Sequence, residues 1–135
     1  KLGEEKVYKF RRSWNIRPEP LDKKSRFHPL NIDVYKDIPT NEIPDTESLK
    51  DTYERVTDYF KSEIQDKIKN GNILVSAHGN SIRALCKYLF KINKEQISKL
   101  EIPTGNPLLI EIDENQKIIN CKYLDQDRAK DLLVF

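Results

Sequence analysis

One short stretch concentrates the chemistry of this chain: Ser76-Ala77-His78-Gly79-Asn80-Ser81, set between an apolar run and the start of an amphipathic pattern. A histidine there can hydrogen-bond a phosphoryl oxygen, and protonation adds charge to that contact. Gly79 lets backbone approach a ligand closely. The first turn of a helix offers unpaired N–H groups and a partial positive charge to an anion. The plainer alternative is that His78 satisfies a strand terminus and Asn80 caps the helix; placement alone leaves both open. A second candidate is Arg11-Arg12, at the end of the first helical pattern. Adjacent guanidiniums grip carboxylate or phosphate in bidentate fashion, or they complement the helix's negative end and stay solvated.

Other chemistry-bearing residues group poorly. His28 precedes Pro29 in a polar stretch with no Asp, His or Cys ligand grouping around it, so a surface position is expected. Ser48 and Ser81 have no triad partners in a recognisable order. Cys86 and Cys121 lie far apart without metal-ligand spacing and read as reduced thiols packed in a cytosolic protein. No cluster requires a metal.

Periodicity supplies the secondary structure around these residues. Residues 3–14 form a short helix, with Val7, Phe10 and Trp14 on one face and Glu4 and Glu5 near its N-terminus. Five prolines then break the pattern over residues 15–44, an irregular excursion of a length that is usually functional or mobile. Asp45 or Thr46 is the expected cap of a long helix with the stripe Leu49, Tyr53, Val56, Phe60, Ile64 and Ile68, stopped by Asn70-Gly71. Ile73-Leu74-Val75 has the continuous apolar character of a strand buried on both faces. A helix begins near Asn80 with Ile82, Leu85, Cys86 and Leu89 inward, and Asn93 caps a shorter one through Leu100. Past the Pro103-Thr104-Gly105 loop, residues 108–112 and a returning strand with Ile119, Cys121 and Tyr123 inward flank a turn at 113–116. Helices alternating with strands in this way indicate an α/β layer structure.

Composition narrows the class. With 24 Lys plus Arg against 22 Asp plus Glu, the chain lacks the basic excess of a nucleic-acid protein while allowing a local basic pocket. No apolar run approaches the length of a membrane span, and no signal peptide is visible. The 135 residues suit a single domain or part of one, and the absence of methionine implies that Lys1 is not the native start.

Taken together and in order, Gly3-Glu4-Glu5-Lys6-Val7, Arg11-Arg12-Ser13, Thr46-Glu47-Ser48-Leu49-Lys50-Asp51-Thr52, Ala77-His78-Gly79-Asn80-Ser81-Ile82-Arg83-Ala84-Leu85, Leu100-Glu101-Ile102-Pro103-Thr104-Gly105 and Asp113-Glu114-Asn115 closely resemble the 2,3-bisphosphoglycerate-dependent phosphoglycerate mutases of the histidine phosphatase superfamily. The resemblance runs in register to about Leu124 and implies that residues 1–135 are the C-terminal half of one such domain, the C-terminal portion of a three-layer α/β/α fold. It implies an isomerase of glycolysis and gluconeogenesis that interconverts 2- and 3-phosphoglycerate through a phosphohistidine, with 2,3-bisphosphoglycerate as phosphoryl donor and no metal. A cytoplasmic, homo-oligomeric parent enzyme is implied, with small phosphoglycerates as partners and neither nucleic acid nor membrane.

Residue by residue, the resemblance gives His78 the role of stabilising the transferring phosphoryl group. Gly79 and Asn80 become substrate- and cofactor-binding, and Arg11 and Arg12 the pair that holds phosphoglycerate. The nucleophilic histidine and the acid glutamate of the family lie upstream of the matching region, so this chain is expected to be inactive alone. Two alternatives remain: a bisphosphoglycerate mutase or phosphatase on the same scaffold, and a truncated protein that only binds anions or a partner. Three features depart from the family pattern. Asn106 stands where an aliphatic residue is usual, the surroundings of His28 differ in spacing, and the tail over 125–135 is short and apolar rather than long and basic.

Overall fold

Acidic residues at one end and basic residues at the other match a helix dipole, and the computed structural model places helix α1 at Glu4–Arg12, with Glu4 and Glu5 in its first turn and Lys9, Arg11 and Arg12 in its last. The structure describes residues 2–129. They fall into two units, divided between Asp51 and Thr52. The expected tail over 125–135 therefore lies partly outside the described residues.

In the first unit, residues 15–44 are irregular as expected, holding three short 3-10 turns at Pro29–Asn31, Asp33–Tyr35 and Thr40–Glu42. The excursion is closed at its neck. Lys50 N donates to Trp14 O (2.8 Å) and Leu21 N to Asp45 O (2.9 Å). Thr46 Oγ1 donates to Pro18 O (2.8 Å), and the Arg17 guanidinium grips Asp51 with two hydrogen bonds of 2.7 and 2.5 Å.

Helix α2 runs Leu49–Tyr59. Its cap is Ser48 and not Asp45 or Thr46, because Asp51 completes a capping box. Ser48 N donates to Asp51 Oδ2 (2.8 Å), and Asp51 N to Ser48 Oγ (3.4 Å). Thr46 is occupied by Pro18 and Asp45 by His28. The stripe also stops short of a single helix. A π turn at Phe60–Ile64 and a 3-10 turn at Lys67–Asn70 follow. Wider and then tighter turns rotate the stripe, so Phe60 is buried while Ile64 and Ile68 are only half-buried.

Helix α3 spans Gly79–Leu89 and the short α4 spans Lys94–Ile97, ending before the expected Leu100. Asn93 caps α4 through a reciprocal box with Gln96, at 2.7 and 3.2 Å. The inner face of α3 is Arg83, Ala84 and Cys86, with Ile82, Leu85 and Leu89 half-buried. The reason is Arg83, whose Nη2 donates to Ile97 O at 2.6 Å and so draws its own face toward α4. Phe60, Ala84, Cys86, Ile92, Ile97, Leu100, Tyr123 and Ala129 form the buried apolar set of this unit among the described residues, and the Phe60 and Tyr88 rings meet tilted at 5.8 Å.

Strands β1 (Leu108–Ile112) and β2 (Ile118–Tyr123) pair antiparallel. Asp113 organises their turn by accepting from Asn115 N (2.9 Å) and Lys117 N (2.8 Å). Cys121 and Tyr123 face inward as expected, but Ile119 does not. The register slips between Glu111 and Ile112, so Ile112 pairs with Ile118 and Ile119 bulges outward. Asn106, the departure from the aliphatic pattern, is buried and clamps the end of β2. Its Nδ2 donates to Asp125 O (2.8 Å) and its Oδ1 accepts from Asp125 N (3.0 Å). An aliphatic side chain could make neither bond.

Residues 73–75 are the main correction. They join no helix or strand among the described residues, and Ile73, Leu74 and Val75 are 39, 94 and 42% exposed. A strand buried on both faces takes its burial from neighbouring strands and overlying helices, and the only described sheet is the β1–β2 hairpin. An exposed apolar segment without a ladder templates pairing with other chains. The isolated chain is therefore expected to form dimers or aggregates at micromolar concentration in sedimentation velocity. A clean monomer with a cooperative melt would count against an exposed 73–75 segment.

Candidate anion site at the start of helix α3

His78 is the N-cap of α3. Its extended backbone (φ −65°, ψ 148°) turns the chain into the helix, and its carbonyl accepts from Ile82 N at 3.1 Å. Its Nδ1 accepts from Asn80 N at 3.4 Å. With Nδ1 accepting, Nε2 is the ring nitrogen left to donate. The imidazole is exposed. Capping and donation thus use different ring nitrogens, and the two readings of His78 are compatible.

Asn80 does not cap. It sits in the first turn, where its Oδ1 accepts from Arg83 Nη1 at 3.2 Å. Arg83, buried and bonded also to Ile97 O, fixes the amide's orientation. Sequence alone assigns Arg83 no role; the signal is its i,i+3 spacing from Asn80 on one helix face. Gly79 follows the cap, and a Cβ built there would meet nothing within 4 Å. The packing of the described residues therefore does not require a glycine at this position.

Arg11 and Arg12 occupy the last turn of α1, Arg11 exposed and Arg12 half-buried. Ser13 closes the helix by donating its N–H to Lys9 O at 2.9 Å. His78, Gly79 and Asn80 are contiguous in the second unit, while the arginine pair belongs to the first.

His28 overturns the surface expectation. It is 0% exposed, its Nε2 lies 3.1 Å from Asp45 Oδ1, and its Nδ1 accepts from Leu30 N at 3.2 Å. Lys23 Nζ lies 3.7 Å from the other Asp45 oxygen. A carboxylate seventeen residues downstream satisfies the buried ring, which makes His28 an anchor of the excursion.

The thiols are poor nucleophiles. Burial pushes Cys86 up to about 12 and Cys121 up to about 11, so both are protonated at neutral pH. Ser48 Oγ donates to Asp51 Oδ2 at 2.7 Å within its capping box. Among the described residues, no group of three or more His, Cys, Asp or Glu is arranged to hold a metal ion. No described helix is long and apolar enough to cross a membrane.

Asp51 is the most strongly perturbed carboxylate. The Arg17 hydrogen bonds hold it well below the usual carboxylate range, burial opposes them, and the Ser48 bonds add to the lowering. A carboxyl lowered in the folded state contributes stability that is present above its unfolded value, about 4, and is lost as pH falls toward the folded value. Asp51→Asn is expected to cost about 1–2 kcal/mol in urea unfolding at pH 7. That difference should shrink at pH 3. A gap that stayed constant between the two pH values would rule out the ionic contribution.

The family model for the histidine phosphatase superfamily (branch 1) matches residues 21–124. The chain belongs to that superfamily. Its relatives narrow the comparison. A 2,3-bisphosphoglycerate-dependent phosphoglycerate mutase of Pelagibacter ubique (strain HTCC1062) is 66% identical over 136 residues, covering 100% of this chain and 57% of its own length. Enzymes of the same name from Maricaulis maris (strain MCS10) and Borreliella afzelii (strain PKo) are 45% and 46% identical, covering 98% and 96% of this chain and 55% and 53% of theirs. The chain spans about half the length of the curated relatives it matches.

Proposed function

We propose that this chain is the downstream part of a 2,3-bisphosphoglycerate-dependent phosphoglycerate mutase that interconverts 2- and 3-phosphoglycerate through a phosphohistidine, in glycolysis and gluconeogenesis. On this reading 2,3-bisphosphoglycerate supplies the phosphoryl group that charges the enzyme, and no metal takes part. The parent enzyme is cytoplasmic and homo-oligomeric. On the same reading the phosphohistidine and the acid glutamate lie upstream of these residues.

The observation that carries the reading is the first turn of α3. His78 caps the helix through Nδ1 and keeps Nε2 as a donor, beside a glycine for which the described packing has no use. Gly79 opens the helix, and without a Cβ it lets an anion approach the first-turn N–H groups closely. The ring donates through Nε2 to an equatorial phosphoryl oxygen, while first-turn N–H groups add partial positive charge. The amide of Asn80, held by Arg83, orients the same anion. Arg11 and Arg12 bind the parts of phosphoglycerate whose charge does not change during transfer. Catalysis then comes from positioning and electrostatics, as in phosphoryl transfer generally.

The test of the arginine pair is kinetic. In the full-length protein, with the upstream part present and bisphosphoglycerate saturating, Arg11→Ala is expected to raise KM for phosphoglycerate with a smaller effect on kcat. An unchanged KM would remove Arg11 from the site.

A further inference from the structure

The arginine pair sits on a helix joined to the chain beyond it through Lys6 Nζ, 3.5 Å from Glu19 Oε1. No residue of α1 is buried, and the side chains proposed to meet substrate lie in its last turn. The chain just beyond α1 is much better fixed. Two residues past Arg12, Trp14 O accepts from Lys50 N at 2.8 Å. Five residues past Arg12, Arg17 places Nε 2.7 Å from Asp51 Oδ2 and Nη2 2.5 Å from Asp51 Oδ1. Thr46 Oγ1 ties Pro18 O one residue further on. Asp51 is itself held in the first turn of α2 by Ser48, through bonds of 2.8 and 2.7 Å. The guanidinium fork therefore grips a carboxylate that already has a fixed position. A bidentate pair sets direction as well as distance.

We infer that Arg17 and Asp51 are positioning residues for substrate binding: their clamp fixes the chain leaving α1 against the start of α2 and thereby sets where Arg11 and Arg12 present their guanidiniums. This rests on the reading of Arg11 and Arg12 as the phosphoglycerate-binding pair. Neither Arg17 nor Asp51 needs to touch substrate for the effect. Charged groups that bind by geometry lose affinity when displaced by about 1 Å. A loosened clamp should therefore appear in KM while leaving the phosphoryl-transfer step intact.

Arg17→Ala removes the clamp and leaves the Ser48–Asp51 capping box in place, which makes it the cleaner variant. In the full-length protein, with saturating 2,3-bisphosphoglycerate and 3-phosphoglycerate as the varied substrate, Arg17→Ala is expected to raise KM about three- to tenfold, with kcat within about twofold of wild type. Added to a variant carrying both Arg11→Ala and Arg12→Ala, it should raise KM by less than about twofold more, because residues acting through one another are not additive. A purely stabilising role would lower the melting temperature and leave KM unmoved, and that result overturns the proposal. An equal KM increase in the wild-type and doubly substituted backgrounds also overturns it, since Arg17 would then act independently of the arginine pair. If Arg11→Ala raises KM and Arg17→Ala does not, the positioning role alone falls. If Arg11→Ala leaves KM unchanged, the reading of the arginine pair falls and the proposal with it. Should Arg17→Ala fail to fold, Arg17→Lys keeps the charge and loses the fork; a raised KM supports the clamp, and a wild-type KM overturns it.

Discussion

Alone, the 135-residue chain is expected to show no phosphoglycerate mutase activity above background in a coupled assay. The proposed reaction needs a histidine that accepts and returns a phosphoryl group, and the chain has two histidines. His28 is sealed from solvent, with one ring nitrogen on Asp45 and the other accepting from Leu30. His78 has its Nδ1 committed to the cap of α3, and its proposed role is to donate from Nε2 to a phosphoryl group carried elsewhere. The resemblance assigns the family's nucleophilic histidine to neither of them, placing it upstream of the matching region. Removing a nucleophile costs about 10⁶ in kcat where this has been dissected, which places the chain below detection. Turnover near that of a full-length relative would overturn the assignment of the nucleophile to the upstream part.

The second large effect belongs to His78 in the full-length protein. Phosphoryl oxygens carry charge differently in the transition state than in either bound ground state, so a donor aimed at them acts mainly on the rate constant. Losing one preorganised donor of this kind costs about 10²–10³ in kcat, and His78→Ala should fall in that range with a modest change in KM. The lost cap adds about 1 kcal/mol of destabilisation. Asparagine is among the best N-caps, so His78→Asn separates the two contributions. It should regain stability in urea unfolding and remain slow. A wild-type kcat in His78→Ala would leave the residue with its capping role only.

Short-range chemistry is legible in the sequence. The existence of α1 (though it ends at Arg12 rather than Trp14), the Asn93 cap, the β1–β2 hairpin and the junction at Gly79 all depend on neighbours a few residues apart. The Ser48–Asp51 box is equally local, but Asp45 and Thr46 compete with it on sequence because the tertiary demands on them are invisible there: one carboxylate satisfies His28 and the other side chain holds Pro18. His28 itself reads as a surface residue because its partner lies seventeen residues away, across the closed neck of the excursion. Ile119 reads as inward because alternation assumes an unbroken pleat, and a bulge resets it. Residues 73–75 have a strand's composition, but burial is a property of neighbours, which composition does not supply. The proposed anion site rests on placement, since a histidine and glycine at the entry to a helix stand beside its first-turn N–H groups. The buried Arg83 behind Asn80 is not legible, because a charged residue on a helix reads as solvated until its partner is seen.

On this reading the phosphoryl group is carried upstream and His78 only steadies it. Mapping phosphohistidine by mass spectrometry decides the point, after the full-length protein and, separately, the 135-residue chain are mixed with 2,3-bisphosphoglycerate. A single acid-labile phosphohistidine is expected in the upstream part of the full-length protein, and none on the isolated chain. A phosphoryl group found on His78 or His28 would contradict it.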